Sequence, residues 1–140
     1  MGLLSPQGIA GRVVKVGESF AVALSALNGA FKAAAQTEQG YSGAVFEWRG
    51  GDIKTGYLNG VPSNVSVEAG EVVYTAAHSL IFPEKFPIGT IASVEDDPQA
   101  PGFYAITINL ATDFANLDHL YFIDVTYRNQ VDSLQQDLIK

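Results

Sequence analysis

The chain has 140 residues, 47% of them hydrophobic, with eight basic side chains against fifteen acidic ones for a formal charge of -7. That length suits one compact domain or two small lobes sharing a core, and it holds enough apolar groups to offset the entropy of ordering. The negative charge argues against nucleic acid and anionic headgroups as partners; the lack of cysteine removes disulfides and thiolate metal sites; and no apolar run approaches the ~20 residues of a membrane-spanning helix.

Met1 to Pro6 is too short for a signal peptide. The chain as given is therefore expected to be soluble. The first strand is expected at Ile9–Val16. Phe20, Leu24, Leu27 and Phe31 then follow at helical spacing among alanines, yet Asn28-Gly29 interrupts them. Lys32, Ala34 and Gln36 alternate with Phe31, Ala33 and Ala35 as in a strand, so the residues alone leave helix and strand–turn–strand both open. Strands follow at Gly43–Trp48 and Thr55–Leu58, joined by the hairpin connection Arg49-Gly50-Gly51-Asp52. Glu68-Ala69-Gly70 turns into a strand at Glu71–Thr75. Ile88–Val94 comes next, then Glu95-Asp96-Asp97, which reads as a solvated turn before Pro98. Ala100-Pro101-Gly102 breaks the chain ahead of Phe103–Leu110. That strand is apolar on both faces, as a strand in a barrel wall would be. A last strand is expected at Leu120–Thr126, and a frayed tail at Val131–Lys140. Short strands rich in Val, Ile, Thr, Tyr and Phe between regular turn signals make the chain all-β, a sandwich or barrel. Trp48 and the six tyrosines are expected mainly to fill its interior.

The catalytic inventory is thin. His78 and His119 stand alone and far apart, too sparse for a zinc site. Gly40-Tyr41-Ser42-Gly43 superficially matches the surroundings of a chymotrypsin-type nucleophile. In that family the order along the chain is His, Asp, Ser, whereas both histidines here follow Ser42. No phosphate-binding loop, nucleophile elbow or dinucleotide fingerprint occurs. Asn64-Val65-Ser66 fits the glycosylation acceptor pattern, which is too short to carry weight.

Two stretches carry a stronger signature. Ser5-Pro6-Gln7-Gly8-Ile9-Ala10-Gly11-Arg12-Val13 resembles the G-V/I-x-G-x-V opening of the extracytoplasmic domain of the rod-shape-determining MreC family. Gly70-Glu71-Val72-Val73-Tyr74-Thr75, with Ile81-Phe82-Pro83-Glu84-Lys85-Phe86-Pro87-Ile88-Gly89, resembles that family's later run. Glu71 stands where the family usually has Asp, Ala76-Ala77 where it has Ser-Gly, and Lys85 at a common Gly position. These departures bear on the turn after Thr75.

The resemblance implies two small β-barrel lobes, of chymotrypsin-like topology without a triad, over residues 5–126, with 127–140 as a tail. It also settles Phe20–Gln36 in favour of strands. The residues expected to shape its loops and turns are Gly8, Gly11, Thr75, Phe82, Pro83, Pro87 and Gly89. Pro83 and Pro87 would bracket a rigid loop, Phe82 and Phe86 would anchor it, and Gly89 would allow a tight exit into Ile91. The implied function is a non-enzymatic scaffold of the cell-elongation complex at the periplasmic face of the inner membrane, with neither cofactor nor metal. It would maintain cell shape by binding and activating the peptidoglycan transpeptidase, an elongation-specific class B penicillin-binding protein. It would also contact other membrane proteins of the rod complex and self-associate in the full-length protein. Two alternatives stand beside it: a serine hydrolase using Ser42, which needs a histidine within hydrogen-bond reach, and an unrelated small-ligand barrel, which needs an open apolar cavity.

Overall fold

The computed structural model describes residues 2–117 and 119–123. It is built from strands β1 (Gly2–Leu4), β2 (Ile9–Val16), β3 (Ala21–Ser25), β4 (Lys32–Thr37), β5 (Ala44–Glu47), β6 (Thr55–Asn59), β7 (Val72–Thr75), β8 (Pro87–Asp96), β9 (Tyr104–Leu110) and β10 (Tyr121–Ile123). Six of them close a barrel in the order β4-β5-β6-β9-β8-β7, with β7 returning to pair with β4. The other four form a sheet ordered β10-β1-β2-β3. The all-β, two-lobed architecture expected from the sequence is the one observed, the second lobe being an open sheet among the described residues.

The barrel closes because its interior alternates large and small. Phe31, Phe46, Phe82, Leu58, Ile106 and Ile108 are fully buried, and Ala33, Ala35 and Ala44 line the wall opposite them. The Phe31 ring meets those of Phe46 and Phe82 edge-on, with centroids 6.2 and 6.4 Å apart. Alanine is a poor strand former, but three rings need small neighbours, and burial outweighs propensity here. A ring of this size sealed from water contributes on the order of 2–3 kcal/mol.

Phe20–Gln36 runs as β3, a turn, and β4. Phe20 lies in solvent and Phe31 has none, so the two rings never share a face as a helix would require. Asn28 makes the turn: its Oδ1 accepts the Ala30 N–H at 2.9 Å, and its carbonyl accepts the Phe31 N–H at 2.9 Å. Gly50 and Gly51, at φ +90° and +81°, make the β5–β6 hairpin where it was expected.

Three expectations need correction. The first strand is not Ile9–Val16: Gly2–Leu4 precedes it as β1, seated between β2 and β10. Glu95 and Asp96 are the last residues of β8, and only Asp97 belongs to the turn, its Oδ1 accepting the Gln99 N–H at 2.9 Å. Trp48 and the described tyrosines are none of them fully buried, and the interior goes to phenylalanine and aliphatics. For two of them the polar tip explains this: the Trp48 indole donates to the Asp52 carbonyl at 3.0 Å and the Tyr41 hydroxyl to the Gly60 carbonyl at 2.9 Å. Residues 124–126 of the last expected strand, and the tail Val131–Lys140, lie outside the described residues.

Candidate partner-binding surface

The loop between β7 and β8 is organised by one hydroxyl. Thr75 Oγ1 donates to the Pro83 carbonyl at 2.6 Å and accepts the Phe86 N–H at 2.8 Å. The Thr75 carbonyl takes the Lys85 N–H at 3.0 Å and the Gln36 amide at 3.0 Å. A fully buried threonine thus satisfies both of its hydroxyl functions, and its hydroxyl and carbonyl together fix three positions of the loop, Pro83, Lys85 and Phe86, and tie in Gln36 of β4. Phe82 drops from this loop into the barrel core. Lys85 holds φ +69°, the only positive φ of a non-glycine residue among the described residues. A left-handed backbone with a side chain costs about 1–2 kcal/mol, so the departure from the family's glycine is paid in strain.

The glycines of the resemblance act mainly by absence of a side chain. A Cβ on Gly8 would strike the Pro87 carbonyl, one on Gly11 the Leu24 carbonyl, and one on Gly89 the Asn109 carbonyl. Gly8 therefore seats the β1–β2 turn against the start of β8, and Gly89 lets β9 approach. None of the three has a positive φ. A buried hydroxyl pair completes the joint between the lobes. Ser5 Oγ and Thr112 Oγ1 lie 2.8 Å apart, and Thr112 also donates to the Ile9 carbonyl at 2.7 Å. Sequence reading missed Thr112, because nothing near it in the chain announces a partner 107 residues away.

The chemistry-bearing candidates do not come together. Ser42 and His78 are both exposed, and no histidine is hydrogen-bonded to Ser42 among the described residues. His119 lies ahead of β10, also exposed. Among the described residues no group of acidic, histidine or cysteine side chains is arranged to hold a metal ion. The barrel interior is filled by its own side chains, which leaves no calyx for a small ligand. Among the described residues the one strongly perturbed carboxyl is structural. Glu47 accepts from Lys32 at 2.9 Å, Arg49 at 2.8 Å and Asn59 at 2.6 Å on the outside of the barrel, and these donors hold its pKa at about 2.

The open sheet presents a different surface. Val14, Val16, Phe20 and Val22 cluster at the β2–β3 hairpin, with Val16 67% and Phe20 57% exposed. Leu120, Tyr121 and Phe122 are exposed at the β10 edge. Charge divides in the same way. Residues 2–25 hold two cations, Arg12 and Lys15, and one anion, Glu18, whereas residues 26–112 hold nine anions and four cations. Val16 pairs with Ala21 and Val22 with Lys15, so the exposed apolar side chains stand on both sides of the hairpin; exposed apolar groups gathered on one element are a usual mark of a protein-binding surface. The sequence carried a signal for it in Val13-Val14-Lys15-Val16, apolar on both faces of a short strand with nothing bulky opposite.

These features describe a two-lobed, all-β module with a sealed barrel and no catalytic constellation. The family model for the rod shape-determining protein MreC, barrel core, matches residues 1–124, and the chain belongs to that family. It is similar in fold to MreC from Pseudomonas aeruginosa, with 18% identity and a TM-score of 0.73 over 85% of this chain and 76% of that one. MreC from Listeria monocytogenes matches at 27% identity and a TM-score of 0.71, over 86% of this chain and 58% of that one. The structure of a complex between a penicillin-binding protein (PBP2) and MreC from Helicobacter pylori matches at 15% identity and a TM-score of 0.68, over 85% of this chain and 73% of that one. No curated protein sequence matches the chain. The family is a shape-determining, extracytoplasmic and non-catalytic one, and the solved relatives are MreC proteins rather than hydrolases, so the chain is a scaffold module and not an enzyme.

Proposed function

We propose that this module binds the extracytoplasmic part of an elongation-specific class B penicillin-binding protein through the exposed apolar β2–β3 hairpin of its open sheet, and that binding activates the transpeptidase. The observation that carries the reading is the exposed set Val14, Val16, Phe20 and Val22 on the hairpin β2–β3, within a segment, residues 2–25, that has no net negative charge. The Helicobacter pylori complex between a penicillin-binding protein and MreC supports the choice of partner. Activation would come from differential affinity: the module binds one conformation of the synthase better and raises its population. The sealed barrel would serve as the rigid body that holds the hairpin. The site of action is the periplasmic face of the inner membrane, with other membrane proteins of the rod complex and further copies of the full-length protein as additional contacts. The family-motif residues, Gly8 and Gly11 in the open-sheet lobe and Thr75, Phe82, Pro83, Pro87 and Gly89 in the barrel lobe, support this work structurally.

The test is titration of the chain against the periplasmic domain of a class B penicillin-binding protein from the same organism at physiological salt. Saturable binding is expected, weakened about tenfold or more, the equivalent of about 1.4 kcal/mol, by the double substitution Val16→Ser and Phe20→Ser. Binding that ignores this pair would place the interface elsewhere.

A further inference from the structure

On the barrel lobe, away from the open-sheet face, the β4–β5 turn and the β7–β8 loop flank a groove of about 520 Å³ lined by Gln36, Glu38, Gln39, Gly40, Tyr74 and Lys85. That volume falls within the range of small-molecule sites, about 300–1,000 Å³. Three features mark it out from ordinary surface. Lys85 keeps a side chain at a backbone conformation suited to glycine, and that side chain lines the groove. A strained residue at the wall of a concavity is a reason to look for function there. Lys85 forms no ion pair among the described residues; the pairs there join Lys32 and Arg49 to Glu47. Behind the groove stands Glu71, only 9% exposed, whose Oε1 accepts from the Gln39 amide at 2.9 Å and from the Glu68 N–H at 2.6 Å, while its Oε2 is buried without a partner among the described residues.

The chemistry of the walls selects a ligand class. One ammonium offers itself to an anion. Around it acceptors dominate: the Glu38 carboxylate and the Gln36 and Gln39 amide oxygens, the Gln36 NH₂ being donated to Thr75 and Glu84 and one Gln39 N–H to Glu71. The ring of Tyr74 supplies a flat apolar contact. A ligand that fits must bring one carboxylate, adjacent N–H donors and a small apolar group. We propose that this groove binds the carboxylate-bearing end of a short peptide, with Lys85 contacting the carboxylate, the turn Gln36–Gly40 accepting its N–H groups, and Tyr74 packing against its side chain. The proposal is independent of the partner assigned to the open-sheet face.

The test uses the full chain labelled with ¹⁵N and titrated with N-acetyl-trialanine bearing a free carboxylate. Saturable shifts are expected at Gln36–Gly40, Tyr74 and Lys85. The same peptide as its C-terminal amide should bind about fivefold more weakly or worse, since it removes the charge that Lys85 meets. Lys85→Gly relieves the backbone and keeps the fold, so its spectrum should remain native outside the groove while binding falls by a similar factor; Lys85→Arg should retain binding. Absence of saturable shifts, equal response to acid and amide, or unchanged binding in Lys85→Gly would overturn the proposal. A response to glucuronic acid in place of the peptide would overturn the peptide assignment.

Discussion

The two lobes bury their apolar residues to opposite ends. In the barrel, Phe46, Leu58, Val73, Ile106 and Ile108 point inward and are sealed, while their neighbours Glu47, Tyr57 and Thr107 are partly exposed on the outer face. In the open sheet, β3 reads exposed along nearly its whole length, and its valine and phenylalanine neighbours stand in water. The same residue types therefore hold the fold in one lobe and remain unspent in the other. Closure explains the difference. A barrel has no edge and one inside, so its apolar side chains have a single destination; a sheet of four strands has a second face, and what covers that face has to come from outside.

The sharpest way to break this comparison is to truncate an aromatic in each lobe. Phe46→Ala should destabilise by about 3–5 kcal/mol, seen as a lower urea midpoint, because it opens a cavity among packed rings. Phe20→Ala should stay within about 0.5 kcal/mol. Equal effects would mean that Phe20 is covered and the two lobes are packed alike. Next in size is Thr75→Val, which keeps the shape and strands the Pro83 carbonyl and the Phe86 N–H. A loss of about 1–3 kcal/mol is expected, with faster amide exchange at Phe86 as the local readout. Lys85→Gly should be neutral to stabilising by up to about 1 kcal/mol, since relief of the left-handed strain outweighs the added freedom of the unfolded chain; a thermal melt reads it. The smallest effect concerns Glu47. Its pKa of about 2 lies below the unfolded value, so its contribution is present above the unfolded pKa and fades as pH falls from about 5 towards 2. The group is at the surface, so the contribution should be under about 1 kcal/mol. Glu47→Gln should flatten that part of the stability–pH curve, and an unchanged slope would assign the acid sensitivity to other carboxylates.

The barrel was largely legible because its signals are local. Period-two alternation, paired glycines at Gly50-Gly51 and the Ala-Gly pair before Glu71 each act within a few residues, and the strands fell within a residue or two of where these placed them. β1 was illegible for the opposite reason. Gly2–Leu4 has no pattern of its own and becomes a strand because β2 and β10 lie on either side of it. The Ser5–Thr112 contact and the seating of Gly8 on Pro87 are likewise products of the finished fold. At the surface, Val14 and Val16 were visible as strand residues. Their exposure was not, because period-two patterning says which residues share a face and not whether anything lies across from it.

The pairing of β1 with β10 joins Gly2–Leu4 to Tyr121–Ile123, and this sets an order of events during synthesis. Every strand of the barrel lies between those two segments, so all six can be in hand before the last partner of the open sheet exists. At about 5–20 residues per second the outer side of β1 waits on the order of ten seconds for β10. The barrel is thus in a position to form first and act as the template on which the sheet is later completed.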